Sequence, residues 1–279
     1  CNSHSSFKDK VSMSNLCQEI TLPTTPIQDI HDEQGEIALC ILSAVNVGGL
    51  NDLSELENIC DLSVRALEQI IDYQDYPVRA AEVSTKKRRS LGIGYIGLAH
   101  YLAKNGVKYS DPKAWDLVDR LSEAFQYHLL RASCNIAMEK GKCEGFERTK
   151  YADGLLPIDH YKKDVDNIVP HKQRMAWESL RKDIAKYGLR HSTLSAQMPS
   201  ESSSVVSNET NGIEPPRALM AIKKSKKGPL KQIAPGFPKL KNDYTLLWDM
   251  PSNEGYINVV AMMQKYFDQA ISGNWSYNP

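Results

Sequence analysis

The sequence has no excess charge: 34 Lys and Arg balance 34 Asp and Glu, for a formal net charge of zero. That removes the global electrostatic reason to expect nucleic acid or an anionic membrane as a partner. No apolar run approaches the roughly 20 residues that span a bilayer, and no N-terminal series of basic, apolar and small residues marks a signal peptide. Six cysteines, at positions 1, 17, 40, 60, 134 and 143, include no Cys-x-x-Cys pair. The histidines do not cluster near them at zinc spacing, so no metal site is expected. This cysteine usage fits a reducing, cytoplasmic compartment, in which a disulfide would be catalytic and transient.

What is present describes a soluble globular protein. Of 279 residues, 41% are hydrophobic and 24% charged, enough for a real core in one large domain or two small ones. The sequence opens at "CNSHSSF" without an initiator Met and stops at "SGNWSYNP". The expectation is a piece of a longer polypeptide, from a split or intein-interrupted gene or a partial record.

"LCQEITLP" and "GEIALCILSAVNV" read as two short strands, carrying Cys17 and Cys40. Leu53, Leu56, Ile59, Leu67, Ile70 and Ile71 follow helical spacing from residue 53 to about 72. "KKRR" at 86–89 reads as a solvated helix face or loop, with phosphate contact as the alternative. A helix is expected over about 90–103, closed by Asn105-Gly106. Another opens at "SDPKAW", where Ser110 or Asp111 can cap and Pro112 suits the first turn, and runs to about Lys140 before Gly141. Residues 142–170 read as irregular, about 172–186 as helix, and "LRHSTLSAQMP" as a strand. A loop with a short helix follows, then a Lys- and Pro-rich excursion over 219–240 and a last helix over about 255–271. No repeat or linker divides the chain. Short strands between long helices predict an α/β barrel or sheet, taken as a single domain over 1–279.

"GIGYIG", with Gly92, Gly94 and Gly97, matches the G-x-G-x-x-G of dinucleotide-binding units, which would imply an NAD-dependent oxidoreductase. The preceding "STKKRRSL" is not a buried apolar strand, and no acidic residue ends a second strand about twenty positions on. The competing reading is that small residues let a helix pack closely on its neighbour. "SNLCQEI" raises a similar choice. Cys17 is either a small buried hydrophobe or a reactive sulfur with Glu19 as its acid–base partner.

Residues 177–199 read "WESLRKDIAKYGLRHSTLSAQMP". Trp177, Leu180, Gly188, Leu189, Arg190, His191, Ser195, Ala196 and Pro199 fall at the spacing of the large-subunit signature of ribonucleotide reductases. "SNLCQEI", "GEIALCILSAVN", "DYQDYP", "RRSLGIG", "YLAKNG", "LPIDHYKKD", "NGIEPPR" and "LMAIKKSKKG" also have counterparts there. The chain resembles, from end to end, the catalytic (alpha, class I) subunit of bacterial and phage ribonucleoside-diphosphate reductases, over the later part of its catalytic barrel.

The resemblance implies part of a ten-stranded α/β barrel, with long helices outside and a finger loop, about residues 5–22, inside. It implies radical-based reduction of ribonucleoside diphosphates to deoxyribonucleoside diphosphates for DNA synthesis. Asn15, Cys17 and Glu19 match the finger-loop Asn-x-Cys-x-Glu motif. Cys17 would become the thiyl radical that removes the ribose 3′-hydrogen, and Glu19 would take the 3′-hydroxyl proton. Asn15 would orient the ribose hydroxyls. On a strand, residues 15, 17 and 19 would share one face. Cys40 matches one member of a redox pair whose other cysteine is expected upstream; Cys1 is a weak substitute, and Cys60, Cys134 and Cys143 do not match it. "PSESSS" matches the diphosphate segment, with Ser200, Glu201, Ser202 and Ser203 as substrate contacts. Arg217 reads as a base or phosphate contact or as a salt-bridge residue.

No cofactor is expected in this chain. The radical would come from a metal-containing small subunit, and ATP and dNTP effectors would bind segments outside it, the ATP-cone domain among them. The expected partners are the diphosphate substrate, the rest of the large subunit, the small subunit and thioredoxin or glutaredoxin, with no membrane. The isolated chain is expected to be inactive. A structural fragment, or an anaerobic class III reductase, are the further alternatives.

Overall fold

The computed structural model describes residues 6–225 and 228–277. Cys1 and residue 5, the first of the expected finger loop, lie outside the described residues. In chain order the regular elements are β1 (Ile41–Asn46), α1 (Leu56–Tyr73), α2 (Arg79–Arg88), β2 (Leu91–Ile96), α3 (Leu98–Lys104), α4 (Pro112–Lys140), α5 (Pro157–His160), α6 (Trp177–Tyr187), α7 (Glu201–Val206), β3 (Met220–Ser225), β4 (Gly228–Ile233) and α8 (Glu254–Gln264).

Two long helices form the outer wall. α1 turns Leu56, Cys60, Val64, Leu67 and Ile71 inward at intervals of three and four, the spacing of one helical face. It is entered through a tight turn in which Asp52 accepts from Ser54 N and Glu55 accepts from Asp52 N, a reciprocal cap. α4 starts as expected, with Asp111 before Pro112, and stops at Gly141, whose φ of 86° disfavours any side chain. The two helices pack on each other, and each fully buried Leu, Ile or Val contributes about 1.5–3 kcal/mol.

Inside this wall lies an arc of parallel extended chain. β1 pairs with β2 in parallel, from Ile41 opposite Leu91 to Asn46 opposite Ile96. β2 pairs on its other side with 193–196: Leu91 N donates to Thr193 O (3.0 Å) and Ile93 N to Leu194 O (2.8 Å). Gln197 bridges in parallel to Ile271, and Gln197 N donates to Ala270 O. The finger segment comes next, with Ala270 N donating to Glu19 O at 3.0 Å. Among the described residues the arc stays open, as part of a barrel does. The α/β class stands.

Several sequence expectations are corrected. "GIGYIG" is not helical: Gly92 and Gly94 lie within β2, all of whose residues are buried, and Gly97 precedes α3 at φ 82°. "KKRR" is a solvated face only at its start, where Lys86 is exposed and Lys87 half-buried. Arg88 and Arg89 are buried, Arg88 on Glu36 and Arg89 on Glu68 and Asp72. Residues 16–18 form a turn and 19–23 no regular strand, and Cys40 sits one residue before β1. α6 starts about five residues later than expected, at Trp177. The expected strand at 189–199 is extended but contributes only isolated bridges. The Lys- and Pro-rich excursion contains an antiparallel hairpin, β3 on β4. α8 stops at Gln264, short of the expected 271.

Candidate active site

The finger loop is closed by its own side chains. Asn15 Oδ1 accepts from Ile20 N (3.1 Å), Ser14 Oγ donates to Ile20 O (2.7 Å), and Asn15 O accepts from Gln18 N (3.1 Å). Cys17 sits at the tip of this clasp beside Leu16, which is 96% exposed. Gln18 takes a left-handed conformation, φ 66°, uncommon for a residue with a side chain. That twist breaks the strand alternation, so the shared face expected for 15, 17 and 19 does not exist. Asn15 is exposed, Cys17 half-buried and Glu19 buried. Asn15 spends its acceptor oxygen on building the loop.

Glu19 is 2% exposed and its Oε2 has no hydrogen-bond partner. An unpartnered buried carboxylate oxygen is costly. Its charge and that of Asp268 both act on the Cys40 thiol. Burial, reinforced by these two carboxylates, pushes that thiol up to about 12, against a hydrogen bond from Gln269 that favours the thiolate. Cys40 therefore stays protonated at neutral pH. Glu19, on the loop that carries Cys17, thus acts electrostatically on Cys40, which lies outside that loop just before β1.

The glycine run explains how the sulfur fits. A Cβ on Gly92 would lie 2.9 Å from Cys40 Sγ and 2.7 Å from Leu42 Cδ2. On Gly94 it would lie 2.6 Å from the Ala196 carbonyl. Both glycines let neighbouring chain approach β2. Pyrophosphate has no place at Gly97, because the carboxylate side chain of Glu209 already fills the space above it and bonds His100 Nδ1 at 2.9 Å.

Asp268 sets the far side of the site. It is fully enclosed and accepts from Thr193 Oγ1 (2.7 Å), Leu194 N (2.9 Å), Ser195 N (2.8 Å) and Tyr151 OH (2.9 Å). Burial raises its pKa despite these donors. The bonds fix the turn after α8 against the 193–197 segment, so residues 269–271 run between that segment and the finger loop.

Ser200 is buried, donates to Met198 O and precedes α7, while Glu201, Ser202 and Ser203 are exposed on its first turn. Glu201 and Arg217 line one cavity of about 510 Å³, with Glu209, Glu214 and Gln232. Cys60, Cys134 and Cys143 are buried thiols whose pKa values burial raises, the latter two to about 11 and about 12. Among the described residues, no group of three or more His, Cys, Asp or Glu could hold a metal ion. No helix among them is long and apolar enough to cross a membrane.

Sequence reasoning missed Gln269 and Asp268, which lie in no motif that it singled out. It also took the signature segment as a marker alone. His191 is wholly buried, between Ser133 Oγ (2.9 Å) and Glu68 Oε2 (3.0 Å), and Arg89 and Arg190 bond the same Glu68. Burial opposes ionisation of Glu68, but His191, Arg89 and Arg190 hold its pKa down at about 2. Trp177 Nε1 donates to Glu123 Oε1. The signature is a folding hub that carries Ser195–Gln197 into place.

The family model for the ribonucleotide reductase barrel domain matches residues 1–278. The chain is 58% identical to the ribonucleoside-diphosphate reductase subunit alpha of Haemophilus influenzae and 53% identical to ribonucleoside-diphosphate reductase 1 subunit alpha of Escherichia coli, in both cases over 100% of this chain. It is 42% identical over 98% of its length to the subunit alpha of Enterobacteria phage T4. The chain spans about 37% of the length of the two bacterial relatives and 36% of the phage one.

Proposed function

The chain belongs to the ribonucleotide reductase family, as part of its catalytic barrel, and from that premise we propose that it carries the reducing chemistry of a larger alpha subunit. The substrate is a ribonucleoside diphosphate. A thiyl radical on Cys17 takes the 3′-hydrogen, Glu19 takes the 3′-hydroxyl proton, and the 2′-hydroxyl leaves as water. Cys40 and a second cysteine from the rest of the subunit supply two electrons and two protons and end as a disulfide. Thioredoxin or glutaredoxin reduces that disulfide by thiol exchange. The small subunit, holding the metal, generates the radical, and nucleotide effectors bind outside this chain.

The observation that carries this reading is the buried Glu19 carboxylate, one oxygen unpartnered, on the loop that carries Cys17, with Cys40 tied to that loop through Gln269, which bonds both Thr21 N and Cys40 Sγ. A carboxylate oxygen left without a hydrogen bond in the free protein is available to a hydroxyl proton when substrate arrives. The protonated state of Cys40 also suits a thiol that must deliver hydrogen to a radical intermediate. Asn15 contributes its amide donor to the ribose. Ser202, Ser203 and the backbone N–H groups of the first turn of α7 take the diphosphate, with Ser200 and Glu201 shaping that turn and Arg217 across the same cavity.

The test is reconstitution. The chain alone, with small subunit, thioredoxin system and cytidine diphosphate, is expected to give no deoxycytidine diphosphate. Supplying the remaining alpha-subunit segments restores it. Turnover by the chain alone, or none on completion with all segments bound, contradicts the proposal.

A further inference from the structure

Gln269 lies in no motif of the sequence, yet its carboxamide touches three separate pieces of the site. It is 2% exposed. Nε2 donates to Leu91 O at 3.0 Å and to Cys40 Sγ at 3.5 Å, while Oε1 accepts from Thr21 N at 3.2 Å. The amide's orientation follows from its partners. Turned over, it would set its NH₂ against the Thr21 N–H and its oxygen against the Leu91 carbonyl.

The backbone of the same residue is equally held. Gln269 N donates to Ser195 O, Gln264 Nε2 donates to Gln269 O at 2.9 Å, and the next residue's N–H reaches Glu19 O. The carboxylate of Asp268 locks the residue before it. Gln269 is therefore a rigid post between the finger loop, two residues past Glu19, and the start of β1, where Cys40 sits.

We propose that Gln269 is a positioning residue for the reaction: one carboxamide fixes the distance between the finger loop and Cys40 and presents an N–H donor to the sulfur. This rests on the reading of Cys40 as a redox cysteine. The donor favours the thiolate that thiol exchange requires in each reset of the disulfide, in a pocket whose burial and carboxylates oppose it. Its action is through Cys40 and the loop, not on substrate.

The experiment uses Gln269→Met, of similar length without donor or acceptor, and Gln269→Glu, of equal size. In the completed alpha subunit, the iodoacetamide reaction of each cysteine is followed against pH by peptide mass spectrometry. Loss of the donor is expected to slow Cys40 labelling about tenfold at fixed pH and shift its profile alkaline, the scale of one hydrogen bond to a charged group. Cys17 lies on the loop that Gln269 ties down at Thr21 but receives no bond from it, so its profile is the internal comparison and is expected to move less than that of Cys40. In Gln269→Glu the Cys40 loss is greatest where the new carboxyl is ionised. Steady-state kcat falls while the KM for cytidine diphosphate holds.

Thermal melting reads folding separately, and Gln269→Glu decides the matter if Gln269→Met does not fold. Unchanged Cys40 labelling in folded variants overturns the proposal, as does an equal change at Cys17. If Cys40→Ser keeps thioredoxin-dependent turnover, the redox reading of Cys40 fails instead, whatever the labelling of the Gln269 variants shows.

Discussion

The Cys40 sulfur occupies space that a side chain on Gly92 would need: a Cβ there would come within 2.9 Å of Sγ. The glycine is a notch in β2 cut to the width of a thiol. Its absence of a side chain is what lets Cys40 face the 195–197 segment and Gln269.

Gly92→Ala tests that notch. The new methyl must displace Cys40, Leu42 or Ala196, an overpacking that costs about 1–3 kcal/mol. Thermal unfolding should show the loss, and Cys40 should label faster because its sulfur moves outward. Unchanged labelling would mean that Leu42 and Ala196 absorb the methyl and that the notch does not hold the sulfur.

Glu19→Gln separates function from structure. The change removes a buried charge with an unpartnered oxygen, so stability should hold or rise. Turnover of the completed subunit should fall by about 10²–10⁴-fold, the usual contribution of a general base. A stability loss accompanied by normal turnover per folded molecule would make Glu19 structural.

Acid should attack the Glu68 hub. Its folded pKa, about 2, lies below the unfolded value near 4.5. Its contribution is therefore complete above about pH 4.5 and is lost as pH falls from there toward 2. The shift corresponds to about 3 kcal/mol. His191 adds to this slope from higher pH: burial lowers its folded pKa below 6.5, so protonation favours unfolding as pH falls below that value. Chemical denaturation between pH 7 and 3 should show declining stability. Glu68→Gln should already be about 3–5 kcal/mol less stable at pH 7, because Arg89 and Arg190 lose their buried partner.

How far the sequence disclosed this site depended on the kind of signal. α1 was legible from its apolar spacing and α4 from its cap and terminal glycine, because those signals are local. The parallel arc was harder, because β1 and β2 are joined through two helices and the 193–197 and 269–272 segments pair without becoming regular strands. "GIGYIG" read as helix or phosphate loop because nothing local reveals that its glycines face a sulfur and a carbonyl across the arc. "KKRR" read as solvated because the acids that bury Arg88 and Arg89 lie on Glu36, Glu68 and Asp72, distant in sequence. The alternation at 15, 17 and 19 failed at one dihedral, φ of Gln18, which a side-chain pattern does not encode. Gln269 was invisible because its role is three hydrogen bonds to chain 178 to 248 residues away.

The diphosphate segment gives a graded expectation. Ser202→Ala and Ser203→Ala, on the exposed first turn of α7, should each raise the KM for cytidine diphosphate several-fold and leave kcat within about twofold, the pattern of ground-state binding. Steady-state kinetics of the completed subunit reads this directly. A fall in kcat at constant KM would place these hydroxyls elsewhere in the cycle.

The central claim, that the Cys17 sulfur removes the ribose 3′-hydrogen, is tested by Cys17→Ser in the completed subunit with small subunit and 3′-tritiated cytidine diphosphate. The account predicts substrate binding within about twofold of the parent, no deoxycytidine diphosphate and no tritium released to water. Deoxynucleotide formation or tritium release above background by that variant would contradict it.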